Sequence, residues 1–208
     1  TDELLVGGSF VGMQAQQNGG AVTLGNRTAR LDKDSGTFLG ILDGIANLNV
    51  GDFAFDANNI FAAGSNGLFV RKPRDGGAVV PMPAATIAVN GNDLGANIEF
   101  MLQDGTGLYI GGSFDKVGGQ SRSRIAKLKT DGTLDAWEAP AINSTVNSMA
   151  LDGDYLYIGG NFTAIHDPEG NPVTFNRLAR LHTGTGEVDQ SWNPNVSGRV
   201  DVINVIGD

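Results

Sequence analysis

Short apolar runs, each stopped by a glycine pair, recur along the chain, and the polar residues between them recur as well. Leu108-Tyr-Ile-Gly-Gly-Ser-Phe114 has close copies in Leu156-Tyr-Ile-Gly-Gly-Asn-Phe162 and Leu4-Leu-Val-Gly-Gly-Ser-Phe10. The second glycines, Gly8, Gly112 and Gly160, mark a period of about 50 residues, with one interval of twice that length. Asn59-Ile-Phe-Ala-Ala-Gly64 falls inside the long interval as a worn copy.

Each unit reads as four short strands. In the last, Val146-Asn-Ser-Met-Ala-Leu151 passes through the turn residues Asp152-Gly-Asp154 into Tyr155-Leu-Tyr-Ile158, a hairpin of two period-2 runs. Arg177-Leu-Ala-Arg-Leu181, the turn Thr183-Gly-Thr-Gly186 and Glu187-Val-Asp-Gln-Ser-Trp192 supply the rest. The preceding unit repeats this order with Ile98-Glu-Phe-Met-Leu102, Leu108-Tyr-Ile110, Arg124-Ile-Ala-Lys-Leu128 and Thr133-Leu-Asp-Ala-Trp137. The first unit holds Arg27-Thr-Ala-Arg-Leu31 and Thr37-Phe-Leu-Gly-Ile41 but lacks an initial strand. Val200-Asp-Val-Ile-Asn-Val-Ile206 matches that missing strand and has no second strand after it.

Several strands per unit at this period predict an all-β β-propeller of four-stranded antiparallel blades, about four of them. The repeats are set at 1–43, 44–84, 85–140 and 141–199 of one domain spanning 1–208. Residues 200–208 then supply the first strand of a further blade, or close a four-bladed ring by completing the first. Closure would remove the exposed edges that invite aggregation. A piece cut from a larger ring would read the same, and the missing initial Met points to a processed or excised chain.

Composition agrees with a turn-rich β-fold: Gly is 31 of 208 residues, Pro only 7, and 40% are apolar. The net charge of −9 opposes phosphate backbones, which argues against a nucleic-acid partner. Without cysteine there are no disulfides, thiolate metal sites or cysteine nucleophiles. No apolar run is long enough to span a bilayer.

Candidate chemistry is sparse. The pairs Gly7-Gly8, Gly111-Gly112 and Gly159-Gly160 lack the following helix of a phosphate-cradling loop, so they are read as sites of close strand approach or a bulge. Asp32 and Asp34 precede a glycine at alternate positions, and Asp167, Glu169 and Asn171 cluster in a loop. Both are candidate calcium ligands, with turn-capping as the plainer reading. No other cofactor is implied. His166 and His182 have no nucleophile motif beside them and read as surface residues. Arg27, Arg124 and Arg177 recur at the start of the third strand, where they should bond a carbonyl or carboxylate. Asp135 and Asp189 stand two residues before Trp137 and Trp192. Repetition argues for architecture, and the tryptophans are expected to seal blade against blade, the alternative being stacking on a sugar. Asn26, Asn143, Asn161 and Asn195 open N-x-Ser/Thr sequons, which matter only in a secretory pathway.

The sequence Tyr-Ile-Gly-Gly-Asn-Phe-Thr, then Arg-Leu-Ala-Arg-Leu, then Val-Asp-Gln-Ser-Trp-Asn-Pro resembles the delta-60-repeat β-propellers of bacterial secreted and surface proteins, and kelch blades more remotely. Residues 98–208 carry the pattern well, the first unit carries two of its three parts, and the second departs from it. The resemblance implies an extracellular or cell-surface module within a larger protein, with no catalytic residues to carry across. The expected function is non-catalytic binding or scaffolding in adhesion or assembly. Its partner would be a protein or glycan on a surface, with possible contacts to flanking domains or further repeats. Residues 11–26 and 163–176, neighbours if the ring closes, would form the recognition surface. Two alternatives stand beside this. One is a carbohydrate-active enzyme with a loop carboxylate pair about 5–10 Å apart. The other is a structural unit of a filament or layer, joined through its end strands.

Overall fold

The computed structural model describes residues 3–7, 13–17, 20–24, 28–35, 37–40, 42, 49–89, 92–167 and 169–206. Among these every regular element is a strand, and all pairing is antiparallel. The first unit has β1 (Glu3–Gly7), the hairpin β2 (Met13–Gln17) and β3 (Gly20–Leu24), then β4 (Thr28–Asp32) and β5 (Phe38–Gly40), with sheet order β1-β4-β5. The second is a meander of β6 (Val50–Phe55), β7 (Asn59–Gly64), β8 (Phe69–Pro73) and β9 (Val80–Pro81). Next come the hairpin β10 (Ala85–Val89) and β11 (Asn92–Gly95), then β12 (Asn97–Gln103), β13 (Gly107–Ser113), the short pair β14 (Lys116–Val117) and β15 (Gln120–Ser121), and β16 (Ile125–Lys129). The fourth unit has β17 (Val146–Asp152), β18 (Tyr155–Gly160), β19 (Ala164–His166), β20 (Pro172–Thr174) and β21 (Leu178–His182).

The third and fourth sheets, β12-β13-β16 and β17-β18-β21, have three strands rather than the four expected. The fourth run touches its sheet through single bridges, Leu134 to Leu128 and Val188 to Leu181. The cause is local. Asp135 accepts the Trp137 amide at 2.8 Å and Asp189 accepts the Ser191 amide at 2.9 Å, so each aspartate curls the chain away after one pair.

The first two strands of the second, third and fourth sheets share one irregularity. Pairing slips between Val50 and Asp52, between Ile98 and Phe100, and between Val146 and Ser148, leaving Gly51, Glu99 and Asn147 bulged. Opposite each bulge lies Gly64, Gly112 or Gly160. A Cβ there would stand 1.9, 2.2 or 2.0 Å from the carbonyl oxygen of Asn49, Asn97 or Thr145. The second glycine of the motif is therefore required by contact within its own sheet.

The first glycine answers a different neighbour. A Cβ on Gly7 would meet Phe53 and Val50 of the second sheet, and one on Gly111 would meet Val146 and Met149 of the fourth. Successive sheets pack face to face at these points, and buried clusters fill the seams. Phe61, Ile98, Met101 and Ile110 lie between the second and third sheets; Tyr109, Met149, Ile158 and Trp137 lie between the third and fourth. Leu42, Val50 and Ala62, with Leu5 and Phe53 against them, join the first unit to the second. No buried cluster among the described residues joins the fourth sheet to the first unit, and residues 200–206 form no strand pair there, so no closed ring is seen.

Candidate binding surface

The hairpin insertions issue from one end of the stack. β2–β3, β14–β15 and β19–β20 each follow the second strand of their sheet, and β10–β11 precedes β12 at that same end. Two of these connections are tied to the segment entering their sheet: Ala85 pairs with Val117, and Ile142 bridges Ile165. Among the described residues only the second unit has a tight turn there, Ser65-Asn66-Gly67, with φ of 59° at Asn66 and 74° at Gly67. Residues at φ above zero favour asparagine and glycine, which is why this dipeptide suits a two-residue hairpin.

The hairpins β14–β15 and β19–β20 have buried roots and exposed tips. Ile165 and Phe175 are fully enclosed in the seam cluster, as is Val117 in its neighbour. The tip at 167–171 is closed by Asp167, whose carboxylate accepts the Asn171 amide at 2.7 Å and its side-chain nitrogen at 3.1 Å. These bonds hold the Asp167 carboxyl below its ordinary range, the Asn171 amide being the main cause. Asp32 does the same work in the first unit, where one oxygen accepts the Ser35 amide and hydroxyl, both at 2.8 Å, and the Asp34 amide at 3.2 Å. Asp34 itself pairs with Lys33 at 2.8 Å, and Glu169 is exposed. Among the described residues no three acidic or imidazole side chains converge as a metal would need.

Arg124 and Arg177 open the third strands in the left-handed region, with φ of 69° and 67°. The Arg124 guanidinium donates to the Phe114 carbonyl at 3.0 Å, and that of Arg177 donates to the Asn161 carbonyl. Their own carbonyls accept the amides of Gly112 and Gly160. They fasten the glycine motif to the third strand. Gly8 and Arg27 lie outside the described residues.

Trp137 and Trp192 occupy matching places with different surroundings. Trp137 is 7% exposed, stands edge-on to Tyr109 at 5.1 Å, and directs its ring N–H to the His182 carbonyl of the next sheet. Trp192 stands edge-on to Tyr157 at 5.3 Å but is partly exposed, as is Tyr157. The difference is that the fourth sheet covers Trp137, whereas no sheet of the described residues covers Trp192. On that face Arg180 lies 4.1 Å from the Tyr155 ring and pairs with Asp189 at 2.7 Å. Asp189 has its carboxyl lowered to about 2 by the Ser191 hydroxyl and then by Arg180. His182 tilts against Tyr155, and His166 sits in β19.

Asp52 carries no mark in a single copy of the repeat. Its carboxylate leaves β6 to accept the Met101 amide of β12 at 2.6 Å and the Phe53 amide at 2.9 Å, and burial raises its pKa. Ser148, at the matching position, accepts the Ile203 amide at 3.0 Å. Alignment of the three bulges would have exposed both as links from the first strand of a sheet to the segment packed on it. A cleft of about 820 Å³ also opens between the first unit and the second sheet, walled by Leu5, Phe53, Ile60, Lys72, Arg74 and the Glu3–Arg30 ion pair.

A family model described as "Domain of unknown function (DUF5122) beta-propeller" matches residues 104–136, which run from the turn before β13 to the residue before Trp137. The match supports a β-propeller family over that one repeat and does not reach the delta-60-repeat name. No curated protein matches the chain. No helix of the described residues is long and apolar enough to cross a membrane.

Proposed function

We propose that this chain is a non-catalytic binding module of β-propeller type, acting outside the cell and engaging a protein or glycan through the exposed tips of its hairpin insertions. The observation that carries the reading is the division within the hairpins β14–β15 and β19–β20. Roots such as Ile165, Phe175 and Val117 are buried with the sheets, whereas the 169–172 and 118–121 segments stand exposed at one common end. A rigid base under a variable tip is how loop-borne recognition is usually held. The acidic balance of the chain favours cationic or neutral partners, or partners bridged by calcium. The carboxylates of Asp32 and Asp167 accept backbone amides, which supports reading them as turn caps.

The test is a panel of immobilised extracellular proteins and glycans, probed with the chain and with a variant whose 167–171 tip is replaced by a plain turn. Binding to a defined member, lost on replacing the tip while the melting temperature stays within a few degrees, supports the reading. Retained binding by the variant, or turnover of a glycan in place of binding, defeats it.

A further inference from the structure

The third and fourth sheets carry a cation at the same place. Lys127 stands opposite Tyr109 as Arg180 stands opposite Tyr157, and the carbonyl of each accepts the amide of a following aspartate, Asp135 at 2.9 Å and Asp189 at 3.0 Å. Each aspartate uses Oδ1 to accept an amide two residues on. In the fourth unit Oδ2 of Asp189 takes the Arg180 guanidinium, from Nε at 2.9 Å and from Nη2 at 2.7 Å, and the Trp192 ring lies 5.4 Å from that guanidinium. The third unit differs. Lys127 turns its ammonium to Asp104 at 2.6 Å and to the Thr106 hydroxyl at 3.0 Å. Oδ2 of Asp135 is thereby left without a partner among the described residues.

That carboxylate lines a crevice of about 430 Å³ between the third and fourth units, together with Lys127, Trp137, Glu138 and the turn Thr183–Thr185. The crevice lies at the end of the stack opposite the hairpin insertions, where β21 runs into its turn. Asp104 matches the Lys127 charge, so the charges left facing the crevice are the carboxylates of Asp135 and Glu138, with Arg122 3.7 Å from Glu138. We propose that this crevice binds the guanidinium of an arginine side chain carried by a partner protein. The template is internal to the chain: the matching aspartate one unit on holds a guanidinium beside the matching tryptophan. A planar fork of N–H donors can serve two carboxylates at once, a geometry that an ammonium matches less well. Gly184 adds no obstruction on the opposite wall, since even a Cβ there would meet open space. The inference stands on the comparison of two sheets and is independent of what the hairpin tips bind.

The probe is N-acetyl-arginine methylamide, titrated into the chain and followed by the indole N–H resonances of its two tryptophans. A Trp192→Phe variant assigns the remaining resonance to Trp137. That resonance is expected to move saturably, in the millimolar range because the crevice is open to water, and the lysine analogue is expected to bind more weakly. Asp135→Asn keeps an acceptor for the Trp137 amide and removes the charge; it is expected to weaken binding about tenfold, the scale of one lost hydrogen bond to a charged group. Lys127→Arg is expected to abolish binding, because its own guanidinium would take Asp135 as Arg180 takes Asp189. Melting temperatures within a few degrees of the parent show that both variants fold. No saturable shift overturns the proposal, as does a lysine analogue that binds as tightly, or unchanged binding in either variant.

Discussion

A single Cβ separates the two glycines of the recurring pair. At Gly160 it would lie 2.0 Å from a backbone carbonyl that the bulge holds fixed, so the chain must shift to admit it. Gly160→Ala is expected to cost about 3 kcal/mol, the upper range for overpacking, whereas Gly184→Ala, with open space around it, stays within about 0.5 kcal/mol. Chemical denaturation of the two variants checks this, and equal losses would show that the bulge yields freely. Asp52 makes a second residue-scale prediction. Burial raises its carboxyl above the ordinary 3.8, so the folded state binds the proton more tightly than the unfolded chain. Stability from this group is then greatest at low pH and declines as pH rises from about 4 through the folded value. Asp52→Ser keeps an acceptor of the kind Ser148 provides and removes the buried charge. The melting temperature of the variant minus that of the parent should rise between pH 4 and pH 7; a constant difference would refute the burial argument.

At the level of elements, the hairpins β14–β15 and β19–β20 root in the core. The spacing of the sequence marks residues 163–176 as a loop free to vary, yet Ile165 bridges Ile142 and is fully buried among the side chains of the last seam. Replacing the whole loop would therefore unseat the seam, and only the tip is exchangeable. Ile165→Ala is expected to cost about 2–5 kcal/mol, as deletion of a buried branched side chain does, while changes at Glu169 are within about 0.5 kcal/mol. Thermal or urea melts of the two variants decide it. The fourth run departs from its sequence pattern in the opposite direction. Thr133 to Trp137 alternates well enough to suggest a strand, but Asp135 accepts an amide two residues on and ends pairing after one bridge. Alternation reports which residues could face a core; it does not report a side chain that competes for the backbone.

For the molecule as a whole, position in the stack decides stability. β13 is buried along Gly107–Gly112 because a sheet lies on each side of it, whereas β18, with the same sequence motif, leaves Tyr155 and Tyr157 partly exposed. Amide hydrogen exchange should accordingly be slowest in β12, β13 and β16, faster in β17, β18 and β21, and fastest in β1 and β4. Exchange measured by fragment would contradict the stacking account if β1 proved as protected as β13.

The all-β class, the period and the motif were legible because each is written in local chemistry: apolar runs, turn residues, and a glycine pair repeated at fixed spacing. The places of Arg124, Arg177 and Trp137 followed from the same repetition. Tertiary structure alone decided which glycine answers its own sheet and which answers the next. It also decided that Asp52 and Ser148 reach out of their own sheets to the segments packed on them, and that Trp192 stands half open where Trp137 is sealed. Those outcomes depend on what lies across a seam, and identical local sequences meet different neighbours at the middle and at the end of a stack.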